Sequence, residues 1–154
     1  YIESLGDITL ENNIISIQIA LEALSYIILV EKEGLLDDEQ FDQNNASKNI
    51  KLVLNACNIP HGSDELELFD DWIRGKFDDG VDLVIYFRNK IVHPVRKDNR
   101  ANLTVEDMWN IIQIGTKYIE LIVLSFIGYK GEYSNRLKER WFGEVEVVPW
   151  NKLD

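Results

Sequence analysis

A single cysteine, Cys57, in 154 residues excludes an internal disulfide and any cysteine-based metal cluster. Its expected role is that of a small buried apolar side chain. Histidine is nearly as scarce. His61 and His93 are the only two, and with the scattered acids they make no metal-ligand spacing, so no metal and no other cofactor is expected. There is no glycine-rich phosphate loop, no Ser-His-Asp pattern, no internal repeat and no low-complexity tract. The chain does not open on the charged and apolar segments of a signal peptide. Its most apolar run, Ile119–Ile127, is far below the ~20 residues that span a bilayer. A cytoplasmic protein with no membrane partner is the expectation. Positive charge is short as well: 16 Lys and Arg against 27 Asp and Glu leave a net charge of −11. That excess speaks against nucleic acid bound over the whole surface.

What is present is an apolar fraction of 45% with 10% aromatics, which argues against disorder. The length suits one domain that buries ~70% of its extended surface. Residues 1–143 read as a helical bundle and 144–154 as an extended tail. Opening on Tyr1 rather than Met suggests a piece of a longer protein, fused to a further N-terminal domain.

Apolar residues recur at three- and four-residue steps from about Ile8 to Glu33, through Ile14, Ile17, Leu21, Leu24 and Ile28, and Gly34 is the stop signal. The acidic stretch Leu35–Asn45 reads as a connector or a frayed segment. Ala46–Asn58 reads as a shorter amphipathic helix, and His61 as an exposed residue in the turn after Pro60. A cap at Ser63 or Asp64 begins a helix with Leu66, Phe69, Trp72, Ile73 and Phe77 on its apolar side. Asp78-Asp79-Gly80 interrupts it, Val81–Val92 resumes the pattern, and the spacing leaves open one kinked helix or two. Pro94–Ala101 is a basic loop. Asn102 or Thr104 caps a last long helix to about Ile127, apolar nearly all round from Ile119 and so expected to be buried at the bundle centre or against another subunit. Glu132–Trp141 reads as a short charged helix, and Glu144–Val148 alternates as a strand does. The fold class is all-α, a bundle of four or five helices. Trp72 and Trp109 are expected in the core, and Trp150 exposed.

The segment most suggestive of chemistry is Phe87 to Pro94, FRNKIVHP. Between Arg88 and Arg100 stand five bases, Arg88, Lys90, Arg96, Lys97 and Arg100, against one acid, Asp98. An acidic remainder would repel RNA elsewhere and focus a phosphate backbone on this patch. A second basic cluster, Lys130, Arg136, Lys138 and Arg140, reads as a solvated face. On a helix Asn89 and His93 share a face, while Arg88 and His93 diverge by roughly 140°. Pro94 disfavours the α conformation at His93, so the helix ends there and the imidazole can swing back. Arg88 offers a fixed fork of donors for a phosphate, and an imidazole near neutrality can take or give a proton. The bland alternatives are a surface salt bridge from Arg88 to Asp78, Asp79 or Asp82, and for His93 a cation at a helix C-terminus.

The same residues resemble the R-x4-H motif of the HEPN superfamily, small all-helical domains that include metal-independent ribonucleases of prokaryotic defence and toxin–antitoxin systems. A softer likeness lies at Tyr118–Trp141, similar to the last helix and tail of HEPN domains in ApeA-like antiphage proteins. The resemblance implies an endoribonuclease with Arg88, Asn89 and His93 as catalytic residues and Lys90, Arg96, Lys97 and Arg100 on the RNA. It further implies a homodimer that brings two motifs to one cleft, 2′,3′-cyclic phosphate products, and no metal. Some HEPN toxins carry a Tyr two places after the His, where a partner modifies them. Here that place is Val95, which points to the defence branch instead. The competing expectation is a non-catalytic dimerisation or nucleotide- or RNA-binding module of a larger protein.

Overall fold

The computed structural model describes residues 9–93, 103–138 and 144–151. They form the all-α bundle that the periodicity predicts. Helix α1, Leu10–Tyr26, starts at Thr9, whose hydroxyl accepts from the Asn12 N–H, and continues as a π-helical stretch, Ile27–Lys32. Gly34 then takes a φ of 59°, which lets the N–H groups of both Leu35 and Leu36 reach the Leu29 carbonyl. By length and composition alone Leu10–Lys32 would suffice to cross a membrane. In this fold its apolar stripe of Ile14, Ile17, Leu21, Ile28 and Leu29 is core.

The expected connector after Gly34 contains a helix, α2, Asp38–Gln43. Asp37 and Gln40 cap each other reciprocally, so the excess of acids is the first turn of a helix and not a frayed segment. Helix α3, Ala46–Ala56, is capped by Asn45 and buries Ile50, Val53 and Leu54. Cys57 follows, buried as expected, and burial pushes its thiol pKa up.

The stretch expected to be one or two helices over 64–92 is three pieces. A 3₁₀ turn, Ser63–Leu68, is followed by α4, Asp71–Lys76, and α5, Gly80–Val92. The caps are Asp70 and Asp79, not Ser63 or Asp64. Phe69 turns to extended backbone and resets the helical phase, so Phe69, Ile73 and Phe77 stay buried while Trp72 swings out to 48% exposure. That overturns the expectation of a core Trp72.

Helix α6, Val105–Phe126, opens on a capping box between Thr104 and Asp107. Its burial begins only at Ile111, which leaves Trp109 exposed and corrects its placement in the core too. From Ile111 to Ile122 the helix runs through the bundle centre against α1. Gly115 allows the close approach, since a Cβ there would stand 2.3 Å from Ile17 Cγ2. Beyond Ile122 the bundle no longer covers the helix on every side, and Val123, Phe126 and Ile127 are exposed on the single chain.

The charged helix expected at Glu132–Trp141 is not formed in its described part. Strand β1, Glu132–Tyr133, pairs antiparallel with β2, Glu146–Val147, in the register Glu132 to Val147 and Tyr133 to Glu146. The tail thus folds back, with Val148 fully buried. Trp150, expected to be exposed, is half-buried against the core and its indole N–H donates to the Tyr129 carbonyl at 2.7 Å.

Candidate functional site

Helix α5 starts at Asp79, whose carboxylate accepts from the Asp82 N–H at 3.0 Å. It ends at His93, where φ −120° and ψ 71° leave the helical region, as the following proline demands. The His93 N–H still donates to the Asn89 carbonyl at 2.8 Å, so the last turn is closed and the imidazole stands exposed at its rim. Asn89, Lys90 and His93 stand three, four and seven residues after Tyr86, along one face of this helix. Arg88 lies beside that face, next to the buried Phe87.

The fold leaves Arg88 half-buried. Its Nη1 donates to Asn89 Oδ1 at 3.1 Å, while its Nε is buried with no hydrogen-bond partner among the described residues. Neither Asp78, Asp79 nor Asp82 forms an ion pair with it. Asp79 and Asp82 are held instead by the Lys51 ammonium at 2.9 and 2.7 Å. Burial alone would raise the Asp79 pKa, but the Asp82 N–H, Lys51 and then His61 outweigh it and hold the carboxyl below its usual range. Elsewhere the acidic surplus does neutralise cations: Glu65 pairs with Lys117, Glu120 with Arg136, Glu146 with Lys138 and Asp71 with Arg74. Among the described residues no hydrogen bond joins the His93 ring to Arg88 or Asn89. Arg96, Lys97 and Arg100, together with Val95, fall outside the described residues.

Sequence reasoning missed the neighbours of this face. On α4, Lys76 lies one turn after Trp72, and its ammonium sits 4.5 Å from the Trp72 ring centroid and 4.0 Å from that of Tyr86. It also donates to the Tyr86 phenol oxygen at 2.7 Å, and Lys90 lies 5.4 Å from the same ring. These contacts, the Lys76 hydrogen bond first, lower the Tyr86 pKa. The signal was available as two aromatic-to-lysine pairs four residues apart, Trp72 to Lys76 and Tyr86 to Lys90.

A second polar centre lies away from these residues. His61, expected to be an exposed turn residue, has its ring tucked between Asp79 at 3.4 Å and Asn55 at 3.3 Å. Buried Glu65 is held by the Lys117 ammonium at 2.7 Å and by the Tyr118 phenol. Desolvation, then the Glu65 charge, raises the Tyr118 pKa well above its usual value and keeps the phenol a donor. Of these groups Asn55, His61, Glu65 and Lys117 border a cleft of about 960 Å³ that none of Arg88, Asn89 and His93 lines. Within the centre, Glu65 is already neutralised by its own neighbours, so it ties the 3₁₀ turn to α6 and offers little free charge to a ligand. No group of three or more His, Cys, Asp or Glu side chains among the described residues is placed to hold a metal.

The fold and this site define a helical domain with an arginine, an amide and a histidine at one helix end. The chain matches the family model of the YopA C-terminal domain over residues 1–147, and it belongs to that family. It is 35% identical over 146 residues to the SPbeta prophage-derived uncharacterized protein YopA of Bacillus subtilis (strain 168), a match covering 94% of this chain and 32% of the relative. The chain therefore spans about a third of that relative's length. No solved structure matches it.

Proposed function

We propose that this domain is a metal-independent endoribonuclease of the HEPN kind, serving a prokaryotic defence or toxin–antitoxin system in the cytoplasm. The observation that carries it is Arg88, a permanent cation kept half-buried without a carboxylate partner among the described residues of a chain with 27 acids, five residues before a histidine at a helix rim. A buried guanidinium nitrogen without a partner is costly, and a phosphate oxygen is its natural complement. On RNA the reaction would run by attack of a 2′-oxygen on the adjacent phosphorus. The 2′-hydroxyl proton passes to a base, the 5′-oxygen leaves with a proton, and a 2′,3′-cyclic phosphate remains. His93 serves the proton transfers, a role worth roughly 10²–10⁴ in rate. Arg88 holds the phosphoryl oxygens, and Asn89 sets the guanidinium. Lys90, with Arg96, Lys97 and Arg100, would carry the flanking phosphates.

One Arg and one His make a sparse site, and a homodimer would supply two of each. Exposed apolar side chains on α6, Val105 and Trp109 at its start and Val123 and Phe126 at its end, offer surface for such an association. The same surface favours the second reading, a non-catalytic dimerisation or nucleotide- or RNA-binding module of a larger protein. A prophage-derived relative fits a role in conflict between phage and host.

The test is cleavage of a mixed tRNA and single-stranded RNA pool in EDTA, with His93→Ala beside the parent. Cleavage lost only in the variant supports the nuclease. Equal cleavage by both sinks the assignment of His93, and none by either favours the binding module.

A further inference from the structure

We propose that Trp72, Lys76, Tyr86 and Lys90 form a nucleotide subsite for single-stranded RNA, with a base stacked on Trp72 and its phosphate between the two lysines. It rests on the ribonuclease reading for the identity of the strand, and it would hold a nucleotide flanking the one at Arg88 and His93. Three observations support it.

Trp72 is 48% exposed on a short helix whose other large apolar side chain, Ile73, is buried, as is the following Phe77. A large apolar ring held out to water is a stacking platform, and base stacking is tolerant of base identity. The ring is also held in place: the Lys76 ammonium lies over it at 4.5 Å, one helical turn on. The outer surface of the indole is what remains for a ligand.

The two lysines come from different helices and meet around one phenol. Lys76 reaches the Tyr86 oxygen at 2.7 Å, and Lys90 approaches the ring at 5.4 Å. Because the ammonium donates to the phenol oxygen, the phenol's own O–H is left to point at another acceptor. A nearby cation makes that O–H a stronger donor, and the lowered Tyr86 pKa has the same cause. Two ammonium groups and one acidified hydroxyl match the two non-bridging oxygens and one ester oxygen of a phosphodiester better than they match a carboxylate on a protein surface.

Continuity with the candidate site is the third observation. Tyr86 and Lys90 lie on the same face of α5 as Asn89 and His93. From Tyr86 to His93 the helix rises about 10 Å at 1.5 Å per residue, enough for one or two nucleotides of a strand.

The test is a titration of the 154-residue chain into a fluorescein-labelled 2′-O-methyl RNA decamer, followed by anisotropy. The 2′-O-methyl group blocks cleavage, so binding is read alone. Trp72→Ala is expected to weaken binding roughly 5- to 100-fold and Trp72→Phe to restore most of it. On a decamer made abasic throughout, Trp72→Ala should change nothing. Lys76→Gln should weaken binding and flatten the salt dependence by about one unit of slope. Thermal melts by circular dichroism confirm that each variant is folded, as the exposure of Trp72 and Lys76 leads one to expect. Equal affinity of the parent and Trp72→Ala, a Trp72 effect that persists on the abasic strand, or no binding by the parent would each overturn the subsite. Cleavage by the parent together with unchanged Trp72→Ala binding defeats the subsite and leaves the nuclease standing. Binding that depends on Trp72, with no cleavage of natural RNA, does the reverse.

Discussion

Arg88 is a cation, and its Nε is buried with no hydrogen-bond partner among the described residues. Leaving a buried donor unmade costs about 1–3 kcal/mol, more when the group is charged. A protein with acids to spare had a ready remedy in Asp79 or Asp82, yet both go to Lys51. Arg88→Lys tests what the guanidinium adds, because it keeps the charge and loses the planar fork. If two charge-assisted contacts to the phosphoryl group become one, single-turnover cleavage should fall about 10- to 100-fold, at ~1.4 kcal/mol per factor of ten. A variant as active as the parent would show that only charge is used. At this scale the sequence was legible where chemistry is local. The Arg88, Asn89 and His93 spacing and the proline stop at His93 could be read from eight residues. The tryptophans were not legible, since whether Trp72 faces in or out depends on a helix break at Phe69 that apolar spacing alone does not reveal.

Among the elements, the pairing of α1 with α6 sets the spacing of everything packed on them, and Gly115 sets how closely the two approach. A methyl group at that position would stand 2.3 Å from Ile17 Cγ2, too close for either helix to keep its place. Gly115→Ala gains helix propensity but overpacks a full core, a loss of typically 1–3 kcal/mol. The expected outcome is a melting temperature lower by about 2–10 °C for a domain of this size. In combination with Ile17→Ala the two losses should not add, because the second change removes the atom the first one strikes. An unchanged melting temperature in Gly115→Ala would mean the helices separate freely there. The long helices were legible because their stripes are unbroken over several turns. The short ones were not. Helix α2 was hidden by its acids, although Asp37 and Gln40 stand at capping-box spacing, and the strand pair needs a contact between residues 13 apart at Tyr133 and Glu146, which no local pattern carries.

For the whole molecule the question is how a domain of net charge −11 can engage a polyanion at all. Long-range repulsion lowers the encounter rate, and it is screened over about 10 Å at 0.1 M salt. Close contact then depends on the few cations that the fold does not spend on its own carboxylates. Lys51, Lys117, Arg136 and Lys138 are committed to internal pairs. Arg88 and Lys76 are held by an amide and by aromatic rings instead. The RNA footprint should therefore be small. For single strands each phosphate contact contributes about −0.7 to the slope of log affinity against log salt. A footprint of about two to six phosphates gives a slope of roughly −1.5 to −4, measured by titrating the decamer between about 50 and 300 mM salt. At the low-salt end the parent's affinity should gain less than this line predicts, because the acidic remainder repels the strand most when screening is weakest. A slope steeper than about −5 would require more bases in contact than the proposed site carries. It would move the RNA path away from α4 and α5 to a face built from other parts of the chain.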